Sequence, residues 1–262
     1  MSRLKELGSA ATRALLRELA TTPKPGLVDR NGNGAHRDLS YARLEASALS
    51  LEPVFAEIAA AAAGQESSRA LREHLGEIGR RGERTMLAES GGTNTHRGAI
   101  WALGLLVAGA AASGERNAER IAGRAAELAR MPDRYAPLAP SHGRIAGKRF
   151  GVDGARGEAA SGFPHVLQVA LPAMRAGHAL PDVFLRLVAT VGDTCVLHRG
   201  GLGAQTIAHR GAAEALRAGG TTTRSGASSI CKLERALLAH NASPGGCADL
   251  LAATLLLHDL AV

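Results

Sequence analysis

The stretch Gly98-Ala-Ile-Trp-Ala-Leu-Gly-Leu-Leu-Val-Ala-Gly-Ala-Ala-Ala-Ser-Gly114 decides the fold class. It carries no charge, yet it falls short of the roughly 20 apolar residues that a bilayer core demands, so it reads as a helix buried inside a protein. Asn94 or Thr95 suits its N-cap and Gly91-Gly92 breaks the chain before it. Upstream, Leu4, Leu7, Ala11, Leu15 and Leu19 recur at helical spacing and define a first helix that ends before Thr21. After a loop over 21–38, helices are predicted over 40–63 and 67–88. Downstream, the pattern predicts helices over 117–130, 158–178, 181–191, 204–218, 227–240 and 244–260. Residues 131–156, with three prolines and four glycines, read as a long loop, and glycine-rich breaks fall at 192–203 and 219–226. No segment alternates as a strand would. The expectation is one all-α domain over 1–262, about ten helices with glycine-rich active-site loops.

Composition supports this and narrows the function. An apolar fraction of 45% with 21% charged residues excludes a disordered chain. The net charge of +7 invites polyanions, and Arg dominates the cations, Lys occurring only at 5, 24, 148 and 232. Genomic codon bias explains that preference equally well. With seven aromatic residues in no platform pattern, a groove for single-stranded nucleic acid is disfavoured. Cys195, Cys231 and Cys247 form no CxxC pair, and charges of both signs run through the first twenty residues, so a reduced, cytoplasmic location is expected.

The chemistry concentrates in five glycine-punctuated strings. There is no GxxxxGK[ST], and Gly201-Leu-Gly203 lacks the rest of a dinucleotide fingerprint. Thr22-Pro-Lys-Pro-Gly-Leu-Val-Asp-Arg-Asn-Gly-Asn-Gly-Ala-His36 holds turn-forming Pro25-Gly26, Asn31-Gly32 and Asn33-Gly34. It reads as a tightly folded loop whose N–H groups form an anion nest, with Lys24, Arg30 and His36 as donors. Gly91-Gly-Thr-Asn-Thr-His-Arg-Gly98 places His96 and Arg97 in a helix's first turn, where cations oppose the macrodipole and a bound phosphate satisfies both. Gly154-Ala-Arg-Gly-Glu-Ala-Ala-Ser-Gly-Phe163 and Gly192-Asp-Thr-Cys-Val-Leu-His-Arg-Gly-Gly201 each set a carboxylate near an Arg, the mixture suited to Mg²⁺ and phosphate oxygens, although a surface ion pair explains either one alone. Ser243-Pro-Gly-Gly-Cys-Ala-Asp-Leu250 reads as a capped start of the closing helix.

The strings TPKPGLVDRNGNGAH, GTNTHRGAIWALGLL, GARGEAASGF, DTCVLHRGG and SPGGCADLLA, in this order, resemble the triphosphoribosyl-dephospho-CoA synthase family from about residue 10 to 260. The resemblance implies an all-helical transferase that joins ATP and 3′-dephospho-CoA, releases adenine and forms 2′-(5″-triphosphoribosyl)-3′-dephospho-CoA. That product is the precursor of the prosthetic group on the acyl carrier subunit of malonate decarboxylase or citrate lyase. The Thr-His-Arg-Gly-Ala-Ile-Trp and His198-Arg199 forms look more like the malonate decarboxylase branch. Under this reading Asp29, Glu158 and Asp193 are the expected catalytic carboxylates, with Glu158 and Asp193 holding Mg²⁺. Lys24, Arg30, Asn33, His36, Asn94, His96, Arg97, Arg156, His198, Arg199 and Gly200 are the expected substrate and phosphate contacts. Asp249 is able to exchange roles with the other carboxylates. The expected partners are the two nucleotides and the pathway's carrier protein, without nucleic acid or membrane, and a homodimer is the commonest assembly. An N-ribosyl hydrolase and a non-catalytic basic nucleic-acid-binding module are the alternatives that share these features.

Overall fold

The computed structural model describes residues 3–261, which form thirteen α-helices with short π and 3₁₀ turns. Two nearly apolar helices run through the centre: α5 (Arg97–Ser113), buried over most of its circumference, and α13 (Gly245–Leu260), buried continuously from Leu250 to Leu257. A helix apolar on all sides must be surrounded, and these two are. α1 (Arg3–Ala20) lays Leu7, Ala11, Ala14 and Leu15 against α3 (Glu52–Ala62) and α13, while Leu19 packs with Val28 and Leu39 of the following loop. Gly8 permits the approach, since a Cβ there would stand 2.9 Å from Ala56. α4 (Arg69–Glu89) and α6 (Ala118–Arg130) pack on α5, and α10 (Leu180–Thr190) packs on α13. Among the described residues no single helix is long and apolar enough to cross a membrane.

Most helix starts follow capping chemistry. Ser68 and Asn117 accept the backbone N–H groups of Leu71 and Arg120, as N-caps do, and α5 ends at Gly114 in the left-handed region (φ +68°).

The departures from the sequence reading have local causes. The helix expected over 40–63 is two, α2 (Tyr41–Ser50) and α3, because Pro53 has no N–H to continue α2 and is tolerated only in a first turn. The helix expected over 158–178 breaks at Gly162-Phe163-Pro164. α8 (Gly154–Ala160) precedes the break. A π turn, Val166–Ala170, then runs into α9 (Leu171–Arg175), where Pro172 removes a donor and its ring crowds the carbonyl four residues earlier.

The loop expected over 131–156 contains α7 (His142–Phe150), whose one buried residue, Ala146, leaves no apolar period to read. α11 (Thr194–Arg217) starts inside the expected break at 192–203, which contracts to one non-helical residue, Gly201 (φ +66°, ψ −165°). α12 (Arg224–Ala239) completes the set.

Candidate functional site

The loop after α1 folds on itself. The Asp29 carboxylate accepts the N–H groups of Lys24 (2.9 Å) and Asn31 (2.7 Å), and Asp29 and Gly32 bridge through their backbones. The N–H of Gly26 donates to Glu234 of α12 (2.5 Å). Asn31, Gly32, Ala35 and His36 spend their N–H groups within the loop, so much of the donor set expected for an anion nest is used internally. Lys24 is likewise not a free cation: its side chain is 2% exposed and its Nζ is paired with Glu18 of α1. Arg30 and Asn33 are exposed, and the Arg30 guanidinium lies 5.5 Å from the Tyr41 ring centre.

Three helix starts meet beside this loop. At α5, Asn94 accepts the N–H of Arg97 (3.1 Å), whose guanidinium bonds Glu83 (3.0 Å). His96 is buried. Its Nδ1 lies 3.0 Å from Ser47 Oγ, and burial together with the charge of Lys24 pushes its pKa down to about 4, so it is a neutral ring and not the expected phosphate cation. At α11, Asp193 Oδ1 accepts from Cys195 (2.8 Å) and Val196 (3.3 Å), while Oδ2 accepts the N–H of Cys247 in α13 (2.9 Å). One carboxylate thus caps two helices.

Asp249 of α13 reaches the start of α5, so close that a Cβ on Gly98 would stand 1.9 Å from its Oδ2. Burial, then Asp193 and Glu18, push its pKa well above the usual carboxylate range. Asp193 is also raised, by burial working against its three donors.

The third string joins from α8. Gly154 packs on Thr194, where a Cβ would be 2.9 Å from Cγ2, and the Trp101 indole donates to the Ala155 carbonyl (3.1 Å). The guanidinium of Arg156 lies 5.3 Å from the Trp101 ring centre. Glu158 accepts both the backbone N–H of His165 (2.9 Å) and a contact from its Nδ1 (2.7 Å), and this bond raises the His165 pKa. His198 stacks on His142 with centroids 4.2 Å apart.

The fourth string meets the first at a cavity of about 670 Å³ lined by His36, Arg37 and Arg199 among others. Arg199 donates to Ala35 O (3.1 Å) and reaches His36 Nδ1 (3.5 Å), whose other nitrogen faces Ser243 Oγ (2.9 Å). Gly200 is pressed between Ala204 and His240.

All five strings are therefore neighbours in space. The expected Mg²⁺ pair is not: Glu158 is occupied by His165 and Asp193 by two helices. Among the described residues no group of three or more His, Cys, Asp or Glu is arranged to hold a metal. These residues do not fit a protein-held Mg²⁺ centre. Sequence reasoning passed over Glu18 and Ser47. Glu18 had a readable signal, since a carboxylate on the apolar stripe of α1 demands a buried partner.

Fold and site together define a class of helical enzyme in which interhelical glycine loops, rather than a strand–loop–helix unit, build the binding region. Residues 4–262 match the family model of the ATP:dephospho-CoA triphosphoribosyl transferases, and the chain belongs to that family. It is 45% identical to the 2-(5″-triphosphoribosyl)-3′-dephosphocoenzyme-A synthase of Klebsiella pneumoniae, over 99% of this chain and 96% of the relative. It is 52% identical to the corresponding protein of Pseudomonas fluorescens strain Pf-5, over 97% and 90%. A crystal structure from Archaeoglobus fulgidus assigned to the triphosphoribosyl-dephospho-CoA synthases shares the fold, with TM-score 0.56 and 19% identity over 82% of this chain and 98% of that one.

Proposed function

We propose that this enzyme transfers the triphosphoribosyl group of ATP to the 2′-hydroxyl of 3′-dephospho-CoA and releases adenine. The observation that carries the reading is the convergence of the five strings on the starts of α5, α11 and α13, beside the Arg199–His36 cavity. The bond from the anomeric carbon to adenine breaks, the bond to the 2′-oxygen forms, and the hydroxyl proton leaves. Such a step passes through an oxocarbenium-like state, so it needs a held triphosphate, a proton acceptor and a donor to the leaving base.

Arg199, Arg37 and the lined cavity suit phosphates, and helix starts favour anions. For the proton acceptor Glu158 of the third string is the group of choice, and His165, bonded to it through Nδ1 and engaged by the Thr190 backbone, holds it in place. Asp193 and Asp29 serve as positioning residues, fixing two helix starts and the first loop. ATP enters as its Mg²⁺ complex, with the ion carried by phosphate oxygens.

The test is adenine release and product mass with ATP and Mg²⁺, with and without 3′-dephospho-CoA. Adenine only with both substrates supports the transfer. Adenine from ATP alone overturns it in favour of a hydrolase, and none in either case favours a binding module. Glu158→Gln, Asp29→Asn and Asp193→Asn each lower turnover at least about tenfold. The Thr95–Trp101 and His198-Arg199 forms support malonate decarboxylase as the destination. Deleting the gene in its own host tests that branch: loss of the prosthetic group from the malonate decarboxylase carrier subunit supports it, and loss from a citrate lyase carrier subunit alone overturns it.

A further inference from the structure

A second set of cations lies on α4, α5 and α8, apart from the residues lining the Arg199–His36 cavity. Asp133 is 3% exposed at its side chain and receives Arg80 at 2.7 Å and Arg72 at 3.6 Å. The Arg72 guanidinium is 5.0 Å from the Trp101 ring centre, and that of Arg156, from the opposite side of the sequence, is 5.3 Å away.

Three guanidiniums thus gather about one indole and one carboxylate. The Arg72 side chain is 7% exposed and its Nε is buried without a hydrogen-bond partner. Burying a cation with a donor unspent is costly, and a purely structural ion pair would have supplied a second carboxylate. Burial lowers the Arg72 pKa against the opposing charge of Asp133, with Arg156 and Arg80 adding to the fall. Arg97 stands four residues before Trp101, so it shares that face of α5 about 6 Å along the axis and extends the row toward the helix start.

We infer that Arg72, Arg156 and Trp101, backed by Arg80, form a second phosphate subsite that takes the polyphosphate of a nucleotide substrate. The inference rests on the proposed reaction, in which two polyphosphorylated molecules are held at once.

Trp101 is the only tryptophan in the chain, so its emission reports on this subsite without turnover. Inorganic tripolyphosphate, ATP alone and dephospho-CoA alone are titrated separately. Tripolyphosphate and at least one nucleotide are expected to change the emission saturably, and the responding nucleotide identifies the source of the phosphates. Arg156 is exposed, and Arg156→Ala should weaken that response and raise the KM for the same nucleotide about tenfold, with the other KM unchanged. Arg72→Lys, which keeps the charge but loses the planar fork, is the second variant and should weaken the tripolyphosphate response.

Adenine release that requires both substrates, with a silent Trp101 or with Arg156→Ala affecting neither the response nor either KM, overturns the subsite and leaves the reaction standing. A saturable response weakened by Arg156→Ala, with no adenine released by any mixture, supports the anion site and overturns the reaction.

Discussion

Asp193 divides its oxygens between two helices, and the division makes it sensitive to a change that preserves its shape. In Asp193→Asn one oxygen still accepts from α11, but the amide NH₂ then faces the Cys247 N–H, donor against donor. A buried donor left unmet costs about 1–3 kcal/mol, so urea unfolding should show a loss of that size. A variant as stable as the parent would show that Asp193 does not join the two helices. His96 gives a pH signature. Its folded pKa of about 4 lies below the unfolded value near 6.5, so the unfolded chain binds the proton first as pH falls. Stability is therefore full above about pH 6.5 and drains toward pH 4, by on the order of 3 kcal/mol. His96→Asn should flatten that slope when unfolding is compared at pH 7.5 and pH 5. An unchanged slope would place the acid sensitivity elsewhere. At this scale the sequence exposed Asp193 as a loop carboxylate, but its second helix was out of reach because Cys247 lies 54 residues away.

Close approach between elements gives glycine opposite values within one helix pair. Gly109 lies where α5 crosses α6, and a Cβ there would stand 2.5 Å from the Ile121 carbonyl oxygen, whereas Gly123 of α6 has nothing within 4 Å. Propensity alone favours alanine at both by up to about 1 kcal/mol. Gly123→Ala should gain about that amount in thermal unfolding. Gly109→Ala should instead lose about 1–3 kcal/mol, because α6 must move off α5. Stabilisation at both sites would contradict the tight crossing. The helices with a long apolar stripe or a capped start were legible in advance, as α1, α4 and α6 show. α7 was not, since one buried alanine makes no period, and the break at 161–165 needed Phe163 in the left-handed region (φ +59°), a conformation that no pattern announces. Arg72 and Arg80 escaped notice for the converse reason. On an amphipathic helix they look like solvated charges until Asp133 and Trp101 arrive from elsewhere in the chain.

Across the whole molecule, the five strings signalled a site because each combined glycine with charge, and the fold brings them together around the starts of α5, α11 and α13. What sequence spacing lacked was the division of labour. Some of the polar residues, Lys24, His96, Asp29 and Asp193 among them, fasten the loops and helix starts to one another, while Arg199, Arg37, Arg156 and Arg30 keep exposed or cavity-facing charge. The net charge of +7 therefore acts on approach as well as on binding. Raising salt from 0.01 to 0.1 M shortens the screening length from about 30 Å to about 10 Å, which removes attraction across the molecule but spares contacts inside a cavity. For substrates carrying several phosphates, kcat/KM should fall roughly tenfold over that range in initial-rate measurements, while kcat changes less than about twofold. A kcat/KM indifferent to salt would mean that the surplus arginines serve the scaffold and solubility, and that capture depends only on the groups already lining the site.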